Sequence, residues 1–183
     1  MPNSGQTEDE GFTVVEPDGD QAVVGTKFVF RTTDADLAGT FNWHLLDHGL
    51  GSGETYSVTV SKASGYGYAE MGVLANAESA SDFLFFVIDI NSSFAIGRKS
   101  GEVYTYVSEW QASSSIRAGY DAQNTLTIEF LADQTRFLIN DELVYSNLDT
   151  SLSSGSRGLV AAVGPEEYES FSGDGVEVRY VVE

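Results

Sequence analysis

Apolar and polar residues alternate with a period of two along most of this chain, as they do in strands that bury one face. The clearest case runs from Glu54 to Ser61, where three apolar side chains alternate with hydroxyls: Tyr56, Val58 and Val60 against Thr55, Ser57 and Thr59. Gly101 to Trp110 and Val176 to Val182 alternate in the same way. Each of these segments is therefore predicted to be a strand of an antiparallel sheet.

The segment from Phe83 to Ile90 departs from this alternation because it is apolar at nearly every position. One face would carry Phe83, Phe85 and Val87, and the other Leu84, Phe86 and Ile88. A strand that buries both faces lies in the middle of a layered structure. The segment therefore favours a sandwich of two sheets over a single sheet.

Asn124 to Val163 contains the densest run of strand signals. Leu126, Ile128 and Phe130 alternate with polar residues, and a short polar reversal at Ala132 to Gln134 follows. Asn140-Asp141 predicts a tight turn, because Asn and Asp tolerate positive φ better than other non-glycine residues. Three strands in about twenty residues indicate an antiparallel meander.

The remaining short apolar runs bring the total to about a dozen predicted strands, with no convincing amphipathic helix. Asp47 to Gly53 is glycine-dense and is predicted to be a loop. The other predicted strands are Phe12 to Val15, Gln21 to Val24, Lys27 to Arg31, Phe41 to Leu46, Tyr66 to Ala75 and Ser93 to Arg98.

Length and composition predict one domain. The chain has 183 residues, of which 42% are hydrophobic, and it has no cysteine that could form a disulfide or a thiolate metal site. Residues 1–10 are polar and acidic and are predicted to be a disordered tail or linker, followed by a single β-sandwich domain over residues 11–183. No apolar run is long enough to predict membrane insertion, and no signal peptide is visible.

Charge is the strongest compositional signal. Twenty-eight acids against nine bases give a formal net charge of -19. Such a field repels nucleic acid and anionic membrane surfaces, so neither is expected as a partner. The acidity is typical of salt-adapted proteins, and it is equally consistent with a surface that simply keeps a β-rich protein soluble.

The meander resembles a known family. The segments NTLTIEF, TRFLINDELV and SGSRGLV resemble the C-terminal half of concanavalin A-like (laminin-G-like) jelly rolls, a superfamily of lectins and glucanases. The resemblance extends from Phe83 to Val182, and its closest variant is the bacterial 3-keto-disaccharide hydrolase-like domain. It implies an all-β jelly-roll sandwich of two antiparallel sheets, with the strands near Phe12 and Val178 side by side in one sheet. The resemblance is informative about the fold and much less about activity.

Asp89 tests one enzymatic hypothesis. Glucanases with this fold carry carboxylates on one strand as Glu-x-Asp-x-x-Glu, and aligning Asp89 on that motif puts Val87 and Ser92 at the two Glu positions. Retaining hydrolysis needs two carboxyl groups close together, so the motif is missing here. Asp89 is predicted to be a structural acid satisfied by loop backbone. The other candidate acids form no recognisable pair: Glu54, Glu70, Glu102 and Glu109.

Aromatic residues give the best binding hypothesis. Sugars stack their C–H faces on flat rings, so aromatics on strands predict a face that recognises a glycan or polysaccharide. An acidic face suits a neutral glycan better than a polyanionic one. The alternative is that half or more of these rings are core, and Tyr104 and Tyr106 are favoured over Trp110. The candidate ligand-binding residues are Trp43, Tyr66, Tyr68, Tyr104, Tyr106 and Trp110.

Candidate metal ligands lie near the two chain ends. Asp18, Asp20 and Asp174 sit in turns, and calcium prefers carboxylate and carbonyl oxygens, so a structural calcium is one hypothesis. The alternative is that both turns are simply solvated. His44 and His48 lack an evident third ligand and are predicted to be surface or loop residues.

These observations favour a non-catalytic, lectin-like or accessory domain that binds a glycan outside the cell or at the bacterial cell surface. Two alternatives remain open. One is a glycoside hydrolase of the keto-disaccharide type, and the other is an adhesion or assembly domain that binds a protein.

Overall fold

A computed structural model describes residues 6–8, 12–16, 26–32, 41–49, 53–65, 67, 69–79, 81–147, 155–162 and 176–183. In these ranges the chain forms fourteen strands. The first seven are β1 (Gln6–Glu8), β2 (Phe12–Glu16), β3 (Lys27–Thr32), β4 (Phe41–Gly49), β5 (Thr55–Gly65), β6 (Glu70–Ser79) and β7 (Asp82–Ile88). The others are β8 (Ser93–Ser100), β9 (Val103–Ala112), β10 (Asn124–Phe130), β11 (Thr135–Ile139), β12 (Glu142–Asn147), β13 (Ser156–Ala162) and β14 (Val176–Val182).

The described strands form two sheets of seven. Sheet A has the order β1-β4-β13-β6-β7-β8-β9, and sheet B has the order β12-β11-β10-β5-β14-β3-β2. Neighbouring strands are antiparallel, apart from the short β1, which runs parallel to β4. The predicted all-β sandwich of two antiparallel sheets is confirmed. No helix in the described part of the chain is long and apolar enough to cross a membrane.

The inner faces of the sheets share one apolar core, to which β7 contributes Leu84, Phe86 and Ile88. Two buried tyrosines of sheet B cross this core. Tyr56 donates its hydroxyl proton to the Gly158 carbonyl at 2.9 Å, and Tyr180 donates to the Val160 carbonyl at 2.8 Å. Both acceptors lie on β13 of sheet A, so polar contacts as well as apolar packing fix how the sheets lie on each other.

Sheet A also buries its outer face, which explains why β7 is apolar throughout. Phe83, Phe85 and Val87 point away from the inner core into a second set of buried residues. We call this set the outer cluster: Phe41, Trp43, Leu74, Ala77, Phe83, Phe85, Val87, Ala95, Val160 and Ala162. The prediction that β7 is buried on both sides is therefore confirmed.

The predicted turn at Asn140-Asp141 is also confirmed, since both residues have positive φ, at 51° and 69°. Asn140 also donates to the Ser115 carbonyl at 2.7 Å and to Asn124 Oδ1 at 2.8 Å. Asn124 is buried and exchanges two hydrogen bonds with the Arg117 backbone. This network attaches the segment before β10 to the meander.

Several predicted boundaries are wrong. Residues Gln6–Glu8, within the predicted disordered tail, form β1, because backbone pairing with β4 does not depend on apolar side chains. Asp47 to Gly49, predicted as loop, continue β4. The predicted strand Tyr66 to Ala75 is shifted to Glu70–Ser79.

The strands near the two chain ends share sheet B, as predicted, but they are not neighbours. β3 lies between β2 and β14 and pairs with both. The predicted strand Gln21 to Val24 lies outside the described residues.

Candidate functional site

The last strand of sheet A, β9, carries three of the predicted binding aromatics. Alternation places Tyr104 and Tyr106 on the outer face, opposite Lys99 and Gly97 of β8. Both tyrosines are half-buried against the outer cluster. Trp110 lies at an irregularity in the β8–β9 register, between Ser108 and Gln111, and is 37% exposed. We call these three residues the β9 strip.

Gly97 of β8 lies opposite Tyr106 in the sheet. A Cβ atom on Gly97 would lie 2.2 Å from Cζ of Phe85, so the Phe85 ring occupies the space above the glycine. Tyr106 meets the Phe85 ring edge-on, with centroids 6.1 Å apart. The Tyr104 and Tyr106 rings are therefore packed against the Phe85 ring.

The outer face of sheet A curves strongly. Phe41 of β4 stacks on Tyr104 of β9 at 5.4 Å between centroids, although these strands lie five places apart in the sheet. The Phe85 ring contacts both of them, with its centroid 5.3 Å from that of Phe41 and 6.3 Å from that of Tyr104.

Trp43 does not join the exposed surface. It is only 2% exposed, packs against Phe83 at 5.6 Å and lies 5.7 Å from the Lys99 ammonium. Both faces of its indole are covered because it belongs to the outer cluster, so we remove it from the candidate ligand-binding residues. Tyr66 and Tyr68 lie outside the described residues.

Two carboxyl groups lie at one end of the same face. Met71 of β6 pairs with Ile88 of β7, so Glu70 and Asp89 occupy the next facing positions. Such neighbours have Cβ atoms about 5 Å apart. Oδ1 of Asp89 accepts hydrogen bonds from the backbone N–H groups of Asn91 and Ser93, each at 2.9 Å. The prediction that Asp89 is satisfied by loop backbone is confirmed.

Glu70 is the most perturbed acid of this face. Its pKa is raised to about 8, chiefly by burial and in smaller part by the nearby Asp89 carboxylate. Glu70 is consequently a neutral acid at pH 7, able to donate a hydrogen bond as well as accept one.

Glu70 also lies close to the β9 strip. Burial raises the pKa of Tyr106, the nearby Glu70 carboxylate adds to the rise, and the neighbouring Trp110 side chain opposes it. Burial raises the pKa of Tyr104 to about 12, with a smaller contribution from Glu102. The tyrosine hydroxyls thus stay protonated and serve as both donors and acceptors. Together, the β9 strip, Glu70 and Asp89 form the candidate site.

In the sequence Glu70 is a candidate acid with no recognisable carboxylate partner, whereas the structure places Asp89 beside it. The signal lies in the hairpin: Glu70 begins β6 and Asp89 follows β7, so antiparallel pairing brings them together. Predicting the pair required the register, and the predicted start of β6 was four residues too early.

The described residues include no group of three or more His, Asp or Glu side chains that could hold a metal ion. Asp18, Asp20 and Asp174 lie outside these residues, so the calcium hypothesis stays a prediction. His44 was predicted to be a surface residue, but it is half-buried on β4, where its ring lies 4.9 Å from that of Phe28. The side chain of His48 is not described.

No protein-family model matches this sequence, and no curated protein matches it. Solved structures do. A carbohydrate-binding module, CBM66, from Bacillus subtilis aligns with a TM-score of 0.61 at 15% identity, over 97% of this chain and 98% of that one. A Bacillus licheniformis beta-glucanase aligns with a TM-score of 0.58 at 8% identity, over 99% and 94%.

A third structure is a Bacteroides ovatus mixed-linkage glucan GH16 protein in complex with its G4G4G3G product. It aligns with a TM-score of 0.62 at 6% identity, over 97% of this chain and 88% of that one. At such identities the similarity establishes the fold alone, and it confirms the concanavalin A-like jelly roll. The closer resemblance to 3-keto-disaccharide hydrolase-like domains stays a prediction.

Proposed function

We propose that this protein is a non-catalytic glycan-binding domain that acts outside the cell. The observation that carries the proposal is an exposed indole, Trp110, that lies near Tyr106 and the hydrogen-bonding acid Glu70. A flat ring accepts the C–H face of a sugar, and groups that both donate and accept match its hydroxyls. The carbohydrate-binding module of similar fold supports this assignment.

The chemistry favours a neutral glycan. The chain carries a net charge of -19. Two exposed acids add negative charge near the strip: Glu102, just before β9, and Glu109, on β9. An anionic polymer would be repelled here. The sequence favoured Tyr104 and Tyr106 as the binding rings, whereas Trp110 is the most exposed ring of the three, so we assign it the stacking role.

The test is a glycan array together with pull-down on insoluble polysaccharides, with calcium and with a chelator. We expect Trp110→Ala to weaken binding about tenfold, because a ring contact worth about 1.5 kcal/mol corresponds to roughly a factor of ten in affinity. Leu143→Ala, which removes a 51% exposed apolar side chain on β12 of sheet B, is the control. Loss of binding with the chelator would support a calcium site.

A negative result across the array, with a folded protein, would overturn the glycan assignment. The exposed apolar groups of β9, Val103 and Trp110, would then favour a protein partner.

One observation favours a second function, glycoside hydrolysis. Glu70 is protonated at neutral pH beside the Asp89 carboxylate, and glycosidases use such a pair as acid and nucleophile or base. The assay is product release from every glycan that the protein binds. Activity abolished by Glu70→Gln with binding retained would establish the hydrolase, and binding without product in the unmodified protein would exclude it for those glycans.

A further inference from the structure

Arg157 of β13 differs from the other arginines of the chain. All the others donate to an acceptor, which is a carboxylate in every case but one: Arg31, Arg98, Arg117, Arg136 and Arg179. Within the part of the chain that the structure describes, the Arg157 side chain has neither a hydrogen bond nor an ion pair, and its Nε atom is buried. A cation that loses water without gaining an acceptor is costly, so an acceptor from outside the chain would stabilise it.

The Arg157 guanidinium lies between the two sheets. Its Cζ atom is 5.3 Å from the centre of the buried Tyr56 ring, and Arg157 pairs with Leu46, which belongs to the inner core. The Tyr56 hydroxyl in turn donates to the carbonyl of Gly158, the next residue of β13. Tyr56 therefore holds both the guanidinium and the backbone beside it. A guanidinium that is already positioned loses little entropy when it binds a ligand, and Arg157 is only half-buried, so a ligand can reach it.

A second buried polar group lies on the neighbouring strand. At a shift in the β6–β13 register, Ala75 and Asn76 of β6 both face Arg157. Asn76 is 3% exposed and has a positive φ of 53°, and in the described part of the chain its Oδ1 atom has no hydrogen-bond partner. The two strands thus place an unused donor and an unused acceptor opposite each other.

The acids on the surrounding strands do not pair with Arg157. Glu129 of β10 pairs with Arg136 instead. Glu78 of β6 and Glu54, just before β5, both have exposed side chains, and neither forms an ion pair with Arg157 in the described residues. The positive charge of Arg157 is therefore not neutralised by a carboxylate of the described chain.

The chemistry of these two side chains selects the ligand. A guanidinium presents its Nε–H and an adjacent Nη–H as two parallel donors, which match the two oxygens of a carboxylate. The oxygen of the Asn76 amide can only accept, so it requires a donor such as a hydroxyl. In a chain with a net charge of -19, a ligand group with one negative charge is repelled less than a phosphate, which carries nearly two.

We propose that Arg157 and Asn76 form a second ligand site, which binds a hydroxycarboxylate: either a free hydroxy acid or a sugar acid. Arg157 donates to the carboxylate, and Asn76 accepts from the neighbouring hydroxyl. The proposal is independent of the function assigned to the β9 strip. Glu70 of that site pairs with Ala162, at the opposite end of β13, which places the two sites roughly 15 Å or more apart along the strand.

The experiment is a proton–nitrogen NMR titration of the full chain that follows the Arg157 Nε–H signal, which is assigned by its loss in Arg157→Lys. The probes are glycolate, acetate and the neutral glycolamide, at neutral pH and constant ionic strength. We expect glycolate to shift this signal and to bind about tenfold more tightly than glycolamide, the factor that a charge-assisted hydrogen bond gives, with acetate between them. Tighter binding of glucuronate than of glycolate would identify a sugar acid as the ligand, and the reverse order a free hydroxy acid.

Two variants separate the roles of the side chains, with binding followed at backbone amides of β6 and β13. Arg157→Lys keeps the charge but loses the parallel donors, so it should weaken glycolate binding about tenfold. Asn76→Gly, which accommodates the positive φ, should make glycolate and acetate bind equally. Arg136→Gln is the matched control, since it removes an arginine that already pairs with a carboxylate. Circular dichroism checks that each variant is folded, and the titration of the unmodified protein tests the site without any variant.

Three results would overturn the proposal. The first is an Arg157 Nε–H signal that contacts a long-lived water and does not respond to glycolate, since a buried water would then satisfy Arg157 and Asn76. The second is equal binding of glycolamide, which would remove the role of the carboxylate. The third is equal or tighter binding of inorganic phosphate, which would replace carboxylates by oxyanions in general.

Discussion

Replacing Glu70 by glutamine should change how the stability of the protein depends on pH. Glu70 is a half-buried acid with a pKa raised to about 8, whereas an unfolded chain has a Glu pKa of about 4.3. Between these values the folded protein keeps a proton that the unfolded chain has released. Stability must therefore fall as pH rises from about 4.3 to about 8, and Glu70→Gln removes this dependence.

The size of this change in stability follows from the shift in the Glu70 pKa. Each pKa unit corresponds to about 1.4 kcal/mol. Between pH 5 and pH 8 the free energy of unfolding can therefore fall by at most about 4 kcal/mol. Water reaches part of the Glu70 side chain, which reduces this ceiling. We expect the unmodified protein to lose about 1–2 kcal/mol relative to Glu70→Gln over that interval.

Guanidinium denaturation at pH 5, 6, 7 and 8 measures the difference directly. Glu78→Gln is the matched control, because Glu78 is exposed on the same strand. Asp89→Asn should reduce the slope, since the Asp89 charge raises the Glu70 pKa and the amide oxygen can still accept from Asn91 and Ser93.

Parallel stability curves for the unmodified protein and Glu70→Gln would refute the reasoning. Glu70 would then be solvated and ionised at pH 7 in the folded protein, and it could not donate a hydrogen bond beside the β9 strip.

Two further changes test the packing and the buried charge. Gly97→Ala should destabilise the protein by about 1–3 kcal/mol and lower its melting temperature, because the new methyl group displaces the Phe85 ring. The control is Gly67→Ala, which should be nearly neutral because its Cβ atom would lie 3.9 Å from Ile90. Burial lowers the pKa of Lys62 to about 8, so the stability of the unmodified protein should rise relative to Lys62→Met by up to about 3 kcal/mol from pH 8 to pH 10.5. Denaturation curves that stay parallel across this range would show Lys62 to be solvated.

Local patterns predicted much of the fold. The alternation from Glu54 to Ser61 and from Val176 to Val182 located β5 and β14, because burial of one face imposes a period of two. The paired positive φ values at Asn140 and Asp141 followed from side-chain chemistry alone. These features depend on residues that are close in the sequence.

The candidate site depends on contacts that local patterns do not contain. Alternation along β4 puts Trp43 on the same face as Phe41, but it does not show that other residues cover this face. Aromatic residues occur in cores and in binding surfaces for the same chemical reason, so composition does not separate Trp43 from Trp110. The Glu70–Asp89 pair required the β6–β7 register, which no single strand specifies.

The strand order has a consequence for how the chain is made. β13 lies between β4 and β6, and β14 lies between β3 and β5, so each sheet has a gap until these late strands emerge from the ribosome. Until then β3, β4, β5 and β6 present unpaired edges, which favour association with other chains. Because the closing contacts join distant parts of the chain, folding should take milliseconds to seconds. Removing β14 should therefore produce insoluble protein rather than a smaller soluble sandwich.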